Sequence, residues 1–203
     1  MPPAPPAAGA SSAEAQITAK PEHATSTATP DRQRRVGHAS AAAETHAPVT
    51  VRVALRQEDL SPAGHIGNAA VVQLIEEARN RLFRFGGEDR SGTSGPALLG
   101  PVGEQRTVLV AQQTVEYAAE MFYGPDPMLV GFWVGHIGGS SFTLDTEIRA
   151  AADAEPLVRA EAVVVLVDTA TSRPAPIDAH LREHFAQFHG EPILLRPRPG
   201  ADR

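Results

Sequence analysis

Residues 56–68 read Arg56-Gln-Glu-Asp-Leu-Ser-Pro-Ala-Gly-His-Ile-Gly-Asn68 and run directly into a helical pattern that ends at Phe85. Pro, two Gly residues, acids and a His within so short a stretch are typical of a tight polar turn. The first N–H groups of a helix have no partner inside the helix, and they lie at the positive end of its dipole. The sequence therefore predicts a polar turn that meets the start of a long helix, and a functional site at that point.

The long helix is predicted from about Asn68 to Phe85, with Asn68 as its N-cap and Gly-Gly as its stop. Glu77 and Arg81 form an i,i+4 pair that faces solvent. Glu76 falls on a different, mixed face that it shares with apolar residues. The stripe predicted to face the core consists of Val71, Leu74, Ile75, Ala78, Leu82 and Phe85.

The rest of the chain has mainly β character. Alternation over 49–55 predicts a half-buried strand, and four more strands follow a long loop at 86–103. The short turns between these four strands favour antiparallel neighbours, and the apolar run 162–167 indicates a strand covered on both faces. We therefore expect an α+β fold in which one helix packs against one antiparallel sheet. The four later strands and a short C-terminal helix are predicted at 107–117, 128–137, 141–150, 157–167 and 178–188.

Composition narrows the functional classes. The 203-residue chain has a formal net charge of −6, which argues against nucleic acid as a partner, and it has no cysteine for disulfides or thiolate metal sites. No apolar run approaches the ~20 residues of a membrane helix, and we expect a cytoplasmic protein without cofactors. Residues 1–47 are predicted to be a disordered low-complexity tail. The folded domain is expected over 48–189, and 190–203 as a flexible tail.

The motif resembles that of hotdog-fold acyl-CoA thioesterases of the 4-hydroxybenzoyl-CoA thioesterase type. Members carry Arg-x-x-Asp-x-Asp-x-x-Gly-His-Val-Asn-Asn-Ala, followed by a helix with Glu-x-Ala-Arg. The resemblance covers roughly 48–185 and implies a five-stranded antiparallel sheet wrapped around one long helix. It also implies a homodimer or homotetramer with acyl-thioester sites at the subunit interface. The matching positions are Arg56, Asp59, Gly64, His65, Asn68, Ala69, Glu76, Ala78 and Arg79, and further likeness occurs at 115–117, 137–141 and 168–177.

One departure from the family pattern concerns the catalytic carboxylate. The family's catalytic Asp lies four residues before the histidine, and Ser61 occupies that position here. Asp59, two residues earlier, shares a face with Ser61 if the segment is extended, so it is one candidate for the base that activates water. Glu76 on the helix is the other candidate, because a second branch of the family uses a helix carboxylate. Ser61 could act as a nucleophile only if His65 deprotonated it, and otherwise it could order a water.

The remaining predicted site residues would bind the substrate. Thioester hydrolysis needs donors for the developing oxyanion, and the backbone N–H groups of the Gly64–Gly67 turn, Ile66 included, are predicted to supply them. His65 could orient water or bind the carbonyl, and Asn68 could contact the substrate. No metal site is expected, since His180 and His184 on the C-terminal helix are predicted to face solvent.

The sequence thus predicts hydrolysis of an acyl-CoA or acyl-carrier thioester. Two alternatives remain open at this point. A non-catalytic acyl-CoA-binding protein on the same scaffold is suggested by Ser61 at the acid position. A hotdog hydratase is suggested by the partial match of Asp59-Leu-Ser-Pro-Ala-Gly-His65 to Asp-x-Asn-Pro-x-His, although the spacing is one residue longer.

Overall fold

A computed structural model of the protein describes residues 49–89 and 91–197. The predicted tail 1–47 lies outside the described residues. One long helix and one antiparallel sheet confirm the α+β class. In chain order the elements are β1 (Val49–Val53), α1 (Asn68–Phe85), β2 (Arg106–Tyr117), β3 (Met128–Ile137), β4 (Ser141–Arg149), β5 (Val158–Asp168) and α2 (Ala179–Ala186), with short 3-10 turns at Gln57–Asp59 and Gly100–Val102.

The sheet has the strand order β1-β3-β4-β5-β2, and each neighbouring pair is antiparallel. The prediction that β2 and β3 are neighbours is therefore wrong. The connection 118–127 contains a turn signal, but its ten residues can extend over roughly 33 Å. That reach exceeds the three strand spacings, about 14 Å in all, that separate β2 from β3. The connection therefore crosses one end of the sheet.

The inner face of the sheet forms the core with α1. Cross-strand partners Val51, Val130, Ile148 and Val158 lie in one row of this face, and all four are buried. Alternation in β1 and β5 follows from having one face inward. On α1, the predicted stripe is buried at Val71, Leu74, Ile75, Ala78 and Leu82.

Phe85 departs from the predicted stripe, because its side chain is 78% exposed. Leu98 from the following loop supplies the buried side chain at this end of the helix. Its N–H donates to the Leu82 carbonyl at 3.0 Å, and the side chain is fully buried. Helical periodicity alone does not reveal that a loop residue takes the last core position.

The outer face of the sheet carries the segment 190–197, which we call the C-terminal strap. Trp133 of β3 and Asp145 of β4 bind backbone groups of the strap at 2.6 and 2.9 Å. Arg196 of the strap binds Glu116 of β2 through its backbone N–H at 2.9 Å and its guanidinium at 3.2 Å. Residues 190–197, which belong to the segment predicted as a flexible tail, therefore contact three strands of the sheet. The sequence could not predict these contacts, because this segment has no hydrophobic periodicity.

The strand β5 was predicted to be covered on both faces, and this holds only in part, since Val167 is buried on the outer face but its neighbours on that face are not. Its inner residues Ala162, Val164 and Leu166 are buried, whereas Val163 and Val165 on the outer face are only half-buried. The strap covers the row of Asp145 on that face, and Val163 and Val165 lie in the rows beyond it. Across the described segments, no helix is long and apolar enough to cross a bilayer.

Candidate active site at the start of the long helix

The turn that precedes α1 is organised around the Asp59 carboxylate. One oxygen accepts the Arg56 backbone N–H at 2.7 Å, and the other lies 3.5 Å from the Arg56 guanidinium. The carbonyl of Asp59 accepts the Gly67 N–H at 3.0 Å, which ties the beginning of the turn to its end. The side chain is only 8% exposed. These contacts give Asp59 a role in holding the turn.

Ser61 and Gly64 close the tip of the same turn. The Ser61 N–H donates to the His65 carbonyl at 2.8 Å, and the Gly64 N–H donates to the Ser61 carbonyl at 3.0 Å. Gly64 has a φ of +84°, a backbone conformation that a side chain would strain. The Ser61 hydroxyl oxygen is buried and has no hydrogen-bond partner within the described chain. The position of the family's acid is thus occupied by an enclosed, uncharged group.

The backbone donors of the turn differ in their availability. Ile66 donates its N–H to the Met121 carbonyl at 2.7 Å, and Gly67 donates to Asp59, so both groups are engaged. Gly67, rather than the predicted Asn68, is the N-cap of α1, because its backbone is extended and its carbonyl accepts the Val71 N–H. Asn68 is the first helical residue. The N–H groups of the first turn, at 68–70, have no acceptor within the helix, and the His65 N–H has no backbone acceptor within the described chain, so these groups remain as donors for an oxyanion.

A cleft of about 280 Å³ opens at this helix start. His65 is half-buried there and Asn68 is exposed, so both predicted side chains face the same space. Tyr117, at the end of β2, places its hydroxyl 3.4 Å from the Asn68 carbonyl. The cleft is lined by His65, Ile66, Asn68, Val71, Tyr117, Ala119, Glu120, Met121 and Val158.

Six of the nine lining residues were not predicted as site residues, and Tyr117, Glu120 and Met121 are among them. Tyr117 belongs to the stretch 115–117 that carries part of the family resemblance, so the sequence held a signal for it. Glu120 and Met121 lie in the connection that crosses the sheet, and no local pattern places that connection beside the turn. Only the bond from Ile66 to Met121 reveals it.

Glu76 lies elsewhere, on the exposed side of α1. It lines a second groove of about 400 Å³, together with Phe85. This groove is larger, but it contains none of the turn residues, so we assign the candidate site to the cleft at the helix start. The neighbouring Glu77 pairs with Arg81 at 2.5 Å, as predicted.

Arg79 is the charged residue of α1 that the fold buries. Its guanidinium donates to the Gln113 side chain of β2 at 2.8 Å and is only 7% exposed. Burial lowers the pKa of Arg79, while the charge of Glu76 acts in the opposite direction. The contact links the long helix to β2.

The two histidines of α2 differ in their surroundings, and His180 is exposed as predicted. His184 is half-buried rather than facing solvent as predicted, and its Nε2 lies 3.1 Å from the carbonyl oxygens of Ala97 and Leu98. It therefore holds the loop that follows α1. In the described ranges, no group of three or more His, Asp or Glu side chains could hold a metal ion.

The architecture described above, with a long helix against a five-stranded antiparallel sheet, is that of a hotdog-fold protein. Residues 55–185 match the sequence profile of the thioesterase-like superfamily, and the chain belongs to that superfamily. No protein of curated function matches the sequence significantly.

Solved structures agree with this fold. A thioesterase from Thermus thermophilus, complexed with coenzyme A and Zn, is 30% identical with a TM-score of 0.55 over 73% of this chain and 98% of its own. The 1,4-dihydroxy-2-naphthoyl-CoA thioesterase Slr0204 from Synechocystis is 20% identical, with a TM-score of 0.51 over 68% and 95%. The Staphylococcus aureus protein SAV2348, in complex with CoA, is 13% identical, with a TM-score of 0.57 over 73% and 89%.

Proposed function

We propose that this protein hydrolyses acyl thioesters of coenzyme A or of an acyl carrier. The observation that carries the proposal is the cleft in which the Gly-His-Ile-Gly turn, Asn68 and the start of α1 meet. Superfamily membership supports thioester hydrolysis in general, and the CoA complex of the Thermus thermophilus thioesterase supports CoA as the carrier. The cleft lies at a helix start, which is suited to an anionic transition state.

The chemistry would need little from the protein beyond a base and oxyanion donors. A thiol is a fairly good leaving group, so a strong general acid is not required. The unpaired N–H groups at 68–70 would stabilise the oxyanion, and His65 would bind or orient water beside them. The predicted bases are Asp59 and Glu76. Asp59 is engaged by Arg56, and Glu76 starts about 12 Å along the helix axis from Asn68, since eight residues rise about 1.5 Å each.

We also propose that two copies associate through β2. This strand lies at an edge of the sheet, and Leu109 and Val110 are 58% and 39% exposed. An exposed, twelve-residue edge strand is a template for pairing with a second chain. Tyr117 at the end of β2 lines the cleft, so such pairing would place the cleft at the subunit interface.

Steady-state release of thiol from a panel of acyl-CoA and acyl-carrier thioesters tests the proposed hydrolysis. We expect measurable turnover with at least one chain length or aromatic acyl group. Absence of thiol release from every substrate, at high protein concentration and with folded protein, would contradict it.

A non-catalytic binding protein is the second candidate, and the enclosed, uncharged Ser61 at the family's acid position favours it. Ser61→Asp separates the two functions. Activity that appears only in this variant would assign the wild type to binding. Activity in the wild type would assign it to hydrolysis.

A further inference from the structure

Glu120 is the one carboxylate among the residues that line the cleft. Its side chain is exposed, and within the described chain it has no hydrogen-bond or ion-pair partner. A carboxylate without a partner is free to accept a proton or to hold a water. The same cleft contains His65 and Asn68 from the turn, so an acid–base group shares the cleft with the first residue of α1.

The backbone on both sides of Glu120 is fixed. The N–H groups of Ala118 and Ala119 both donate to the Leu157 carbonyl, at 2.9 and 3.1 Å. The Met121 carbonyl accepts the Ile66 N–H at 2.7 Å, and the Met121 side chain is buried. Glu120 therefore lies between two anchored positions, one of which is bonded to the turn before α1. Such anchoring is what positions a base for a defined reaction geometry.

The other two candidate carboxylates are less suited to the cleft. Both oxygens of Asp59 face Arg56 within the turn, and neither Asp59 nor Ser61 lines the cleft. Glu76 lines the separate groove on α1. Removing the Asp59 charge would thus disturb the turn, whereas removing the Glu120 charge would change only what faces the substrate.

We propose that Glu120 is the general base that activates water for thioester hydrolysis, in place of the acid that Ser61 has replaced. This inference rests on the proposed hydrolytic function. The Glu120 carboxylate takes a proton from water while the water oxygen bonds to the thioester carbon. The carbonyl electron pair moves to the oxygen, which the N–H groups at 68–70 stabilise. The carbonyl then re-forms, the C–S bond breaks, and the sulfur leaves with its electron pair and receives the proton from Glu120.

Glu120→Gln tests the assignment, because it keeps the shape of the side chain and removes the base. We expect kcat to fall about 100- to 10,000-fold, the range that a general base contributes, with KM changing less than threefold. In the wild type, we expect kcat/KM to fall on the acid side of the pH profile. The residual activity of Glu120→Gln should not show this fall. Glu120→Asp should recover part of kcat. Binding of a non-hydrolysable CoA thioether should equal that of the wild type.

Two exposed carboxylates serve as matched controls. Glu104→Gln removes the same charge before β2, and Asp126→Asn removes one from the same connection as Glu120, away from the cleft. Both variants should keep wild-type kcat. Full activity in Glu120→Gln, or a loss confined to Asp59→Asn or Glu76→Gln, would overturn the assignment. A wild type that binds the thioether but releases no thiol from any thioester would instead contradict the proposed function.

Discussion

Asp145 is the one carboxylate in the described part of the chain that has a buried oxygen without a hydrogen-bond partner. It is fully buried on the outer face, where one oxygen accepts the Ile193 N–H at 2.9 Å. The other oxygen has no partner within the described chain. Burial raises the pKa of Asp145 from 3.8 to about 6; the Ile193 hydrogen bond opposes this shift, and Glu161 on the neighbouring strand adds to it. The carboxylate also fills the space above Gly135, where a Cβ would lie 2.3 Å from it.

This pKa predicts a pH-dependent stability. Because the folded pKa of Asp145 lies above its ordinary value, the folded state binds the proton more tightly, and stability falls as pH rises from about 4 to 6. A difference of about two units corresponds to roughly 3 kcal/mol as an upper bound. Urea unfolding at pH 4 and pH 7.5 should show Asp145→Asn gaining stability relative to the wild type at the higher pH. If the variant and the wild type differ in unfolding free energy by the same amount at both pH values, the raised pKa of Asp145 is contradicted.

Among the elements, the C-terminal strap offers a direct measurement, because it covers the only tryptophan in the sequence. A Cβ on Gly190 would lie 2.5 Å from Trp133 Cδ1, so Gly190→Ala should displace the strap. We expect red-shifted Trp133 emission, stronger acrylamide quenching, and a loss of about 1–3 kcal/mol in unfolding free energy. Gly139→Ala is the control, since nothing lies within 4 Å of its Cβ. Unchanged Trp133 emission in Gly190→Ala would contradict the contact between the strap and Trp133.

Helices and strands of this chain were predictable to within a few residues because their signals are local. The apolar stripe of α1 and the alternation in β1 each follow from one face being buried. The partner of β2 and the path of the strap depend on contacts between distant segments, such as the bond from Arg196 to Glu116. The same limit applies to the site. The motif located His65 and Asn68, whereas Glu120 reaches the cleft through a connection that crosses the sheet.

At the scale of the whole molecule, strand β2 forms one edge of the sheet within the described ranges. The opposite edge is partly protected, because Thr50 of β1 exchanges two backbone hydrogen bonds with Glu88, at 2.7 and 2.8 Å. β2 pairs with β5 on one side, and among the residues that the structure describes no strand pairs with its other side. A two-fold axis at β2 would join two sheets into one and bring two clefts to the same interface.

Leu109→Lys tests this assembly, because it places a charge at the most exposed apolar position of β2 and repeats that charge across the two-fold axis. Light scattering coupled to size exclusion should give a dimer, or a pair of dimers, for the wild type and a monomer for Leu109→Lys. Leu194→Lys is the matched control, since Leu194 is 89% exposed on the strap, and it should keep the wild-type mass. Tyr117 at the end of β2 lines the cleft, so loss of the dimer should alter the cleft. We therefore expect KM for the thioester to rise in Leu109→Lys and to stay unchanged in Leu194→Lys. A wild type that is monomeric and fully active would contradict the dimer. It would also mean that a single chain forms the complete cleft.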